Sequence, residues 1–452
     1  MNIILINPPA SKILEEQDIT NRPHLGLAYL AAVLMENGFN PKAIDARFEN
    51  ISLPKVVRQI KGYTPDIIGI TAMTNMIVDA HNLAKTIKEL FPKALIVIGG
   101  PHASAMPEEV LAEFSCFDIA VFGEGEITFL ELVQAYRSIS FIDELFHING
   151  IAFRHNKKII RNNPRPFISN LDSLPLPAWD IFPPSKRYGI MLQRGCPGRC
   201  NFCMRVLGDT VRHRSPENVF NEIKILVEKY SVTDIGFIEN FGLHQGYTHK
   251  LLDMMIEHFP NIKWDTPMRV TSMNEELIKK MKKAGCERIA FGVESGDSRI
   301  LKNSQKGIDL KKAIAACQIA KRYHIRTTGF FILGHPNETK DSAKKTIDLI
   351  AKMNLDEVSI GIMVPYPGTE IYKLAKAGKN GYIMISNNWK DFNKQIGNAL
   401  ELKGLNRKEL ERLQLLGYLK LYLSNFRIIE LLKIVYRYKI LAFSILKKLL
   451  TN

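Results

Sequence analysis

Along the first 145 residues, short runs rich in Ile, Val and Leu alternate with stretches whose apolar residues recur every three or four positions. The runs predict strands at 3–6, 41–44, 67–71, 95–98 and 119–122, and the longer-period stretches predict helices over 25–36, 77–90 and 108–114. Repeated βα units in this order predict an α/β domain over 1–145, a flavodoxin-like doubly wound parallel sheet whose ligands bind beyond the carboxyl ends of the strands. Residues 146–188 read as a connector, with a hairpin pattern at 151–160 and then prolines at a density that excludes regular helix and central strand. From 189 to about 390 the alternation resumes, with strands expected at 189–193, 234–238, 263–265, 288–293, 327–333 and 357–364 and helices near 216–230, 248–258, 275–284, 310–323, 340–353 and 369–377. Six such units predict a partial (β/α)6 barrel with its chemistry at the C-terminal ends of the strands. Residues 391–452 follow as a C-terminal helical region.

Composition narrows the class without deciding it. At 452 residues, with 46% hydrophobic and 24% charged, the chain is long enough for two or three domains with full cores. The net charge of +15 invites a nucleic-acid reading, but Lys and Arg are spread along the whole chain and no RNA-binding signature is present, so no nucleic-acid partner is expected. Six cysteines in a chain this long lead to the expectation of a reducing cytoplasm, and no run has the 18 or so uncharged apolar residues of a membrane span. Residues 419–450 carry Leu, Ile, Tyr and Phe at helical spacing together with Lys420, Arg427, Lys433, Arg437, Lys439, Lys447 and Lys448, against the single acid Glu430. Such a helix either packs on the barrel with its basic residues in water or lies on an anionic membrane surface, which would point to a lipid or other apolar substrate.

Chemistry concentrates in one loop. Cys196, Cys200 and Cys203 fall within eight residues at the spacing C-x3-C-x2-C, in Gly195-Cys196-Pro197-Gly198-Arg199-Cys200-Asn201-Phe202-Cys203. Three thiols cannot all pair as disulfides, and Pro197 with Gly198 makes the segment a tight loop. No fourth cysteine is local, so a metal held here keeps one coordination position open, as a catalytic centre requires. A Cys3His zinc site completed by His213 is the other reading of the same residues. Cys116, Cys286 and Cys317 sit in apolar patterns and read as buried thiols. The strand ends of the first domain are rich in Gly and Thr: Asn7-Pro8-Pro9, Thr71-Ala72-Met73-Thr74, Gly99-Gly100-Pro101-His102 and Gly123-Glu124-Gly125-Glu126. Glycines there admit a large ligand to the backbone. A nicotinamide cofactor is excluded, because the last of these turns lacks the third glycine of G-x-G-x-x-G and follows the wrong strand.

C-x3-C-x2-C with Phe202 before its last cysteine resembles the radical S-adenosylmethionine (SAM) enzymes, and the preceding domain resembles the cobalamin-binding domain that accompanies many of them. Further matching strings are Gly292-Val293-Glu294-Ser295-Gly296, Gly334-His335-Pro336-Asn337-Glu338-Thr339 and Val364-Pro365-Tyr366-Pro367-Gly368-Thr369, so the resemblance covers roughly residues 1–380. It implies a [4Fe-4S] cluster on Cys196, Cys200 and Cys203, SAM chelating the open iron, and a 5′-deoxyadenosyl radical after one electron arrives from a flavodoxin- or ferredoxin-type donor. It implies SAM contacts at Phe202, Glu239, Glu294 and Ser295, with Arg269 within reach. It implies cobalamin contacts at Pro8, Thr71, Thr74, Gly99, Gly100, His102, Gly123, Glu124 and Gly125. D-x-H-x-x-G, whose histidine ligates cobalt in many cobalamin domains, is absent; Asp79-Ala80-His81-Asn82-Leu83-Ala84 is the nearest string and reads as helix surface, so the resemblance implies cobalt without a histidine ligand. Glu239 stands where relatives show Asp. The implied activity is methylation of an unactivated carbon, with radical cyclisation or rearrangement, as in tetrapyrrole-ring cyclases, as an alternative. A non-catalytic zinc-stabilised binding protein is the alternative from another class.

Overall fold

The computed structural model describes residues 1–10, 21–395 and 397–437. Contacts divide the chain into two compact units: one is Met1–Pro197 with Met204–Gly236, the other Gly198–Cys203 with the chain from Phe237 onward.

In the first unit, β1 (Ile3–Asn7), β2 (Lys42–Asp45), β3 (Ile67–Thr71), β4 (Leu95–Gly99) and β5 (Ile119–Val121) pair in parallel in the order β2-β1-β3-β4-β5. This is the doubly wound order expected from the alternation. β1 reads IILIN with every residue buried, the continuous apolar run of a strand covered on both faces. The hairpin expected in the connector forms as β6 (Ile151–His155) and β7 (Lys158–Arg161), and it pairs antiparallel with β5, extending the sheet to seven strands. Sequence alone could not assign that partner, because the hairpin's own alternation is satisfied against any sheet edge. Later in the unit come β8 (Arg187–Ile190), the two-residue pair β9 (Gln193–Arg194) and β10 (Arg212–His213), a helix at Pro216–Tyr230 and β11 (Asp234–Phe237).

In the second unit, β12 (Lys263–Met268), β13 (Cys286–Glu294), β14 (Arg326–Leu333) and β15 (Glu357–Ile362) pair in parallel, and helices follow each in sequence. The fold class expected from the pattern is therefore present: an N-terminal parallel sheet, a later array of βα units, and C-terminal helices. The helix Lys340–Met353 starts in a capping box between Thr339 and Ser342, which satisfies two of its unpaired amides. C-terminal helix begins earlier than the hydrophobic spacing suggested: Arg407–Ser424 starts in an Asn406/Glu409 capping box. It packs on β15, where Gln414 donates to the Ile360 carbonyl at 2.6 Å and the Tyr418 hydroxyl accepts from the Ile360 amide at 3.1 Å. Lys420 pairs with Asp348, and Arg427 donates to the Leu355 and Asp356 carbonyls at 2.6 Å. These basic residues serve packing. A second helix, Ile428–Arg437, leaves Phe426, Ile428, Ile429 and Leu432 exposed. The side chains of Lys433 and Arg437, and residues Lys439, Lys447 and Lys448, lie outside what is described. Among the described residues, no helix is long and apolar enough to cross a membrane.

A buried ion pair, Arg214 with Glu222, sits inside the first unit, and Arg214 also donates to the Met191 carbonyl at 2.9 Å. Removing one partner of such a pair leaves a buried charge uncompensated, at a cost of about 3–5 kcal/mol. Arg214→Met is expected to lower the denaturation midpoint of this unit accordingly, and adding Glu222→Leu to recover most of the loss. Equal midpoints for the single and double variants, measured by urea unfolding, would count against the pair as the cause.

Candidate active site

The cysteine loop is anchored at both of its ends. On the first unit's side, Arg194 of β9 is buried and bonds Glu124 at 3.0 Å and Glu126 at 2.5 Å, while Arg212 of β10 bonds Glu124 at 2.8 Å. The Ile168 amide also donates to Glu124, at 2.6 Å. Next along the chain, Gly195 has φ +85°, and a Cβ there would lie 2.1 Å from the Thr210 carbonyl oxygen. The Cys196 amide donates to the Gly208 carbonyl at 3.2 Å. On the second unit's side, the Asn201 amide donates to the Ser304 carbonyl at 3.2 Å, the Asn201 side chain donates to the Asn303 carbonyl at 3.3 Å, and the Ile371 amide donates to the Asn201 carbonyl at 3.3 Å. The Cys200 sulfur lies 3.9 Å from the Gln305 carbonyl.

None of the six cysteines forms a disulfide, and they fall into two sets. Cys116, Cys286 and Cys317 are buried as expected, and burial pushes the first up to about 11 and the third to about 12. Cys196 and Cys200 are half-buried and Cys203 is exposed, so only this set is open to a soft metal. Among the described residues, no group of three or more His, Cys, Asp or Glu side chains stands gathered around a common metal position. His213, the fourth ligand of the zinc reading, is a half-buried ladder residue of β10 opposite Gln193. The chemistry of the donor set fits an iron–sulfur cluster: three thiols outside any disulfide, half-buried or exposed, on one glycine- and proline-shaped loop.

At the end of β13, the ladder with β14 shifts register between Gly292 and Glu294, and Glu294 takes φ +71°. That irregularity aims its carboxylate at Lys306, whose ammonium lies 2.7 Å away. Arg269 donates to the Lys306 carbonyl at 3.4 Å. Nothing in the sequence context of Lys306 marks it for this partner. Ser295 is buried and committed within the protein, its hydroxyl 3.3 Å from that of Thr346 and accepting from the Asp297 amide at 3.2 Å. Glu239 is half-buried, and its carbonyl accepts from Thr266 at 3.4 Å. Phe202 meets His335 edge-on at 5.9 Å. His335 is fully buried, which pushes it down to about 4 and keeps its ring neutral. Beside it, burial pushes Glu338 up to about 7, although the Gly334 and His335 amides both donate to that carboxylate.

At the strand ends of the first unit, the expected residues divide. A Cβ on Gly123 would meet nothing within 4 Å, and one on Gly99 only the Val121 carbonyl at 4.0 Å, so both leave room for a ligand. Gly100 instead is packed, with Thr71 Oγ1 at 2.7 Å from its Cβ position. Gly125 opens the helix Gly125–Ala135, with a Cβ position 3.5 Å from Leu30. His102 is buried, 3.3 Å from the Thr74 hydroxyl, and burial pushes it down to about 4. The Pro8 carbonyl accepts from Arg47 at 3.2 Å, and Asn7 donates to Asp45 at 2.7 Å. Arg47 also pairs with Asp79 at 3.6 Å; Asp79 is thus buried, where the sequence suggested helix surface. His81 does lie on the half-exposed side of that helix, 3.0 Å from Cys116. Met73 is 57% exposed at the end of β3, and nothing in the sequence pattern marks it for a ligand. The open glycines beside this apolar side chain fit a large planar cofactor.

Comparison with known proteins decides what these two sites belong to. The radical SAM superfamily profile matches residues 190–350, and the B12-binding domain profile matches residues 21–133. An uncharacterized methyltransferase of Pyrococcus horikoshii is 34% identical over 433 residues, which cover 94% of this chain and 93% of the relative. The chain belongs to the B12-binding radical SAM family. Its cofactors are accordingly a [4Fe-4S] cluster, SAM and cobalamin. An anaerobic magnesium-protoporphyrin IX monomethyl ester cyclase of Rubrivivax gelatinosus is 30% identical over 371 residues, covering 78% of this chain and 66% of the cyclase. The solved structure of the radical SAM methyltransferase TsrM from Kitasatospora setae, with cobalamin and a [4Fe-4S] cluster bound, matches with a TM-score of 0.70 at 16% identity, over 94% of this chain and 88% of that one. At that identity the likeness is one of fold.

Two measurements test the site. Gly195→Ala forces a side chain onto the Thr210 carbonyl at a left-handed φ, a strain of ~1–3 kcal/mol before the clash is counted. Iron retained per chain after anaerobic reconstitution is expected to drop severalfold, and wild-type iron content would show that the approach to Thr210 does not hold the loop. For Glu338, a folded-state value raised to about 7 from an ordinary 4.5 means that its contribution is present at low pH and lost as pH rises through about 7. Thermal unfolding of the wild type should therefore show stability falling between about pH 4.5 and 7 in a component that Glu338→Gln removes; an identical pH slope in the variant would refute the assignment.

Proposed function

We propose that this radical SAM protein methylates an unactivated carbon of a small-molecule substrate, with Cys196, Cys200 and Cys203 as the thiolate ligands of its cluster. The observation that carries the reading is the single open set of thiols, half-buried or exposed and anchored at both ends, in a chain whose other cysteines are all buried. When bound, the cluster and SAM supply a 5′-deoxyadenosyl radical, and cobalamin supplies the methyl group. Glu294, its carboxylate paired with Lys306 at 2.7 Å, faces SAM through an ammonium group or the ribose hydroxyls. Ser295 holds the turn that carries Glu294, and Glu239 is a second acid available to the same ligand. Phe202 keeps its place in the loop through the buried, neutral ring of His335, and so acts on SAM through position. In the first unit, Gly99 and Gly123 admit the corrinoid, while Pro8, Thr71, Thr74, Gly100 and Gly125 shape the strand ends around it. His102 is engaged with Thr74 and leaves cobalt without a histidine ligand. Glu124 serves this site by anchoring the chain through Arg194 and Arg212. The electron comes from a donor of flavodoxin or ferredoxin type, and the expected setting is the cytoplasm. The exposed Phe426, Ile428, Ile429 and Leu432 favour peripheral contact with a membrane over a fully water-facing tail.

A second reading, radical cyclisation without methyl transfer, draws support from the Rubrivivax gelatinosus cyclase. Products separate the two. Anaerobically reconstituted protein with SAM and a reductant is expected to release 5′-deoxyadenosine, and Cys196→Ala, Cys200→Ala or Cys203→Ala to abolish it. S-adenosylhomocysteine forming alongside marks methyl transfer; 5′-deoxyadenosine without it, in the presence of substrate, favours cyclisation. A protein that binds stoichiometric zinc and never cleaves SAM would refute both.

A further inference from the structure

The segment that carries Cys196 is a loop closed at its base by one short ladder. β9 and β10 pair antiparallel there, and Arg194 stands opposite Arg212. Both guanidinium groups turn to the same place. Arg194 bonds Glu124 at 3.0 Å and Glu126 at 2.5 Å, and Arg212 bonds Glu124 at 2.8 Å. Arg212 also donates to the Ile168 carbonyl at 2.6 Å and, within the loop, to the Leu207 carbonyl at 3.0 Å. None of these four charged side chains is more than 10% exposed. Ion pairs so placed are little screened by salt, and loosening one leaves a buried charge poorly compensated.

Each end of this tie adjoins a residue of one cofactor site. Glu124 follows Gly123, which has φ +81° and nothing within 4 Å of its Cβ position. Only an exposed bond to the Ser104 hydroxyl, at 3.1 Å, engages the Gly123 amide. Arg194 is separated from Cys196 by Gly195 alone, with φ +85°. The two glycines differ in freedom. Gly195 is locked against the Thr210 carbonyl, 2.1 Å from its Cβ position, whereas Gly123 faces open space. Glycine loses more backbone freedom than any other residue when it is fixed. A ligand resting on Gly123 takes on that entropic cost. A second ligand that needs the same turn fixed then no longer meets it, which is cooperativity through ordering.

We propose that Glu124, Glu126, Arg194 and Arg212 are positioning residues that couple the two cofactors: a corrinoid at the 123–126 turn and a cluster on the Cys196 loop each strengthen binding of the other. The inference rests on the cofactor reading above and goes beyond it, since that reading gives the two sites no dependence on each other. One state has the turn fixed, with its acids on both arginines. In the other the turn is rotated about Gly123 and that grip is loosened. Corrinoid and cluster both favour the first, and linkage makes the preference mutual.

The test measures hydroxocobalamin affinity by its absorbance shift, with the full chain cluster-free and after anaerobic reconstitution and removal of reductant. Affinity is expected to be about fivefold or more higher in the reconstituted form, the lower end for coupled sites. Iron retained against a chelator should likewise rise when hydroxocobalamin is present. Arg212→Gln leaves Glu124 paired with Arg194, so the chain keeps its fold while the affinity ratio shrinks. Adding Glu126→Gln should bring the ratio to one. If circular dichroism shows the double variant unfolded, Glu126→Gln alone replaces it and should also shrink the ratio. A merely structural role would lower both affinities together and leave the ratio at its wild-type value, which would overturn the coupling. Equal affinities in the two wild-type forms would overturn it as well, and would leave the cofactor reading standing. Failure of hydroxocobalamin to bind either form removes the cobalamin reading and the coupling with it.

Discussion

Four buried or nearly buried charges hold the first unit to its task. Arg194 and Arg212, which flank the cysteine loop in sequence, converge on Glu124, and Arg194 also takes Glu126. Removing such ions from water costs several kcal/mol each, and only close, multiply bonded geometry offsets it. Here the geometry is close, and Arg194 further lies 5.5 Å over the ring of Tyr29. Gly123-Glu124-Gly125-Glu126 thus does two things at once. Gly123 leaves space at the end of β5, and the acids fix the strand that leads into Cys196. A chain with apolar residues in place of those acids could be as stable, but β9 would then have no directional tie to this turn.

Beyond that tie, the loop depends on backbone. Gly195 is required because Thr210 approaches to a distance that no Cβ tolerates, and Asn201 is held by three main-chain partners. Burial raises the cost of the thiolates at Cys116, Cys286 and Cys317 and keeps them inert.

Much of this was legible in the sequence, and the parts that were not have a common cause. Alternation of apolar runs gave the strands of both units, because each run must be buried whatever its neighbours are. The spacing of Cys196, Cys200 and Cys203 gave the loop, and flanking apolar residues gave the buried thiols. Hidden from the sequence were relations between distant segments: the pairing of the 151–160 hairpin with β5, the Glu294–Lys306 ion pair, and the capture of Asp79 by Arg47. Glu124 lies in the glycine-rich turn that the resemblance marks for cobalamin, and both its oxygens also accept from Arg194, Arg212 and the Ile168 amide. A carboxylate in a glycine-rich turn carries no local sign of which role it has. The tail misled in a similar way, since helical spacing from 419 onward concealed a capping box at Asn406 that starts the helix a full three turns earlier.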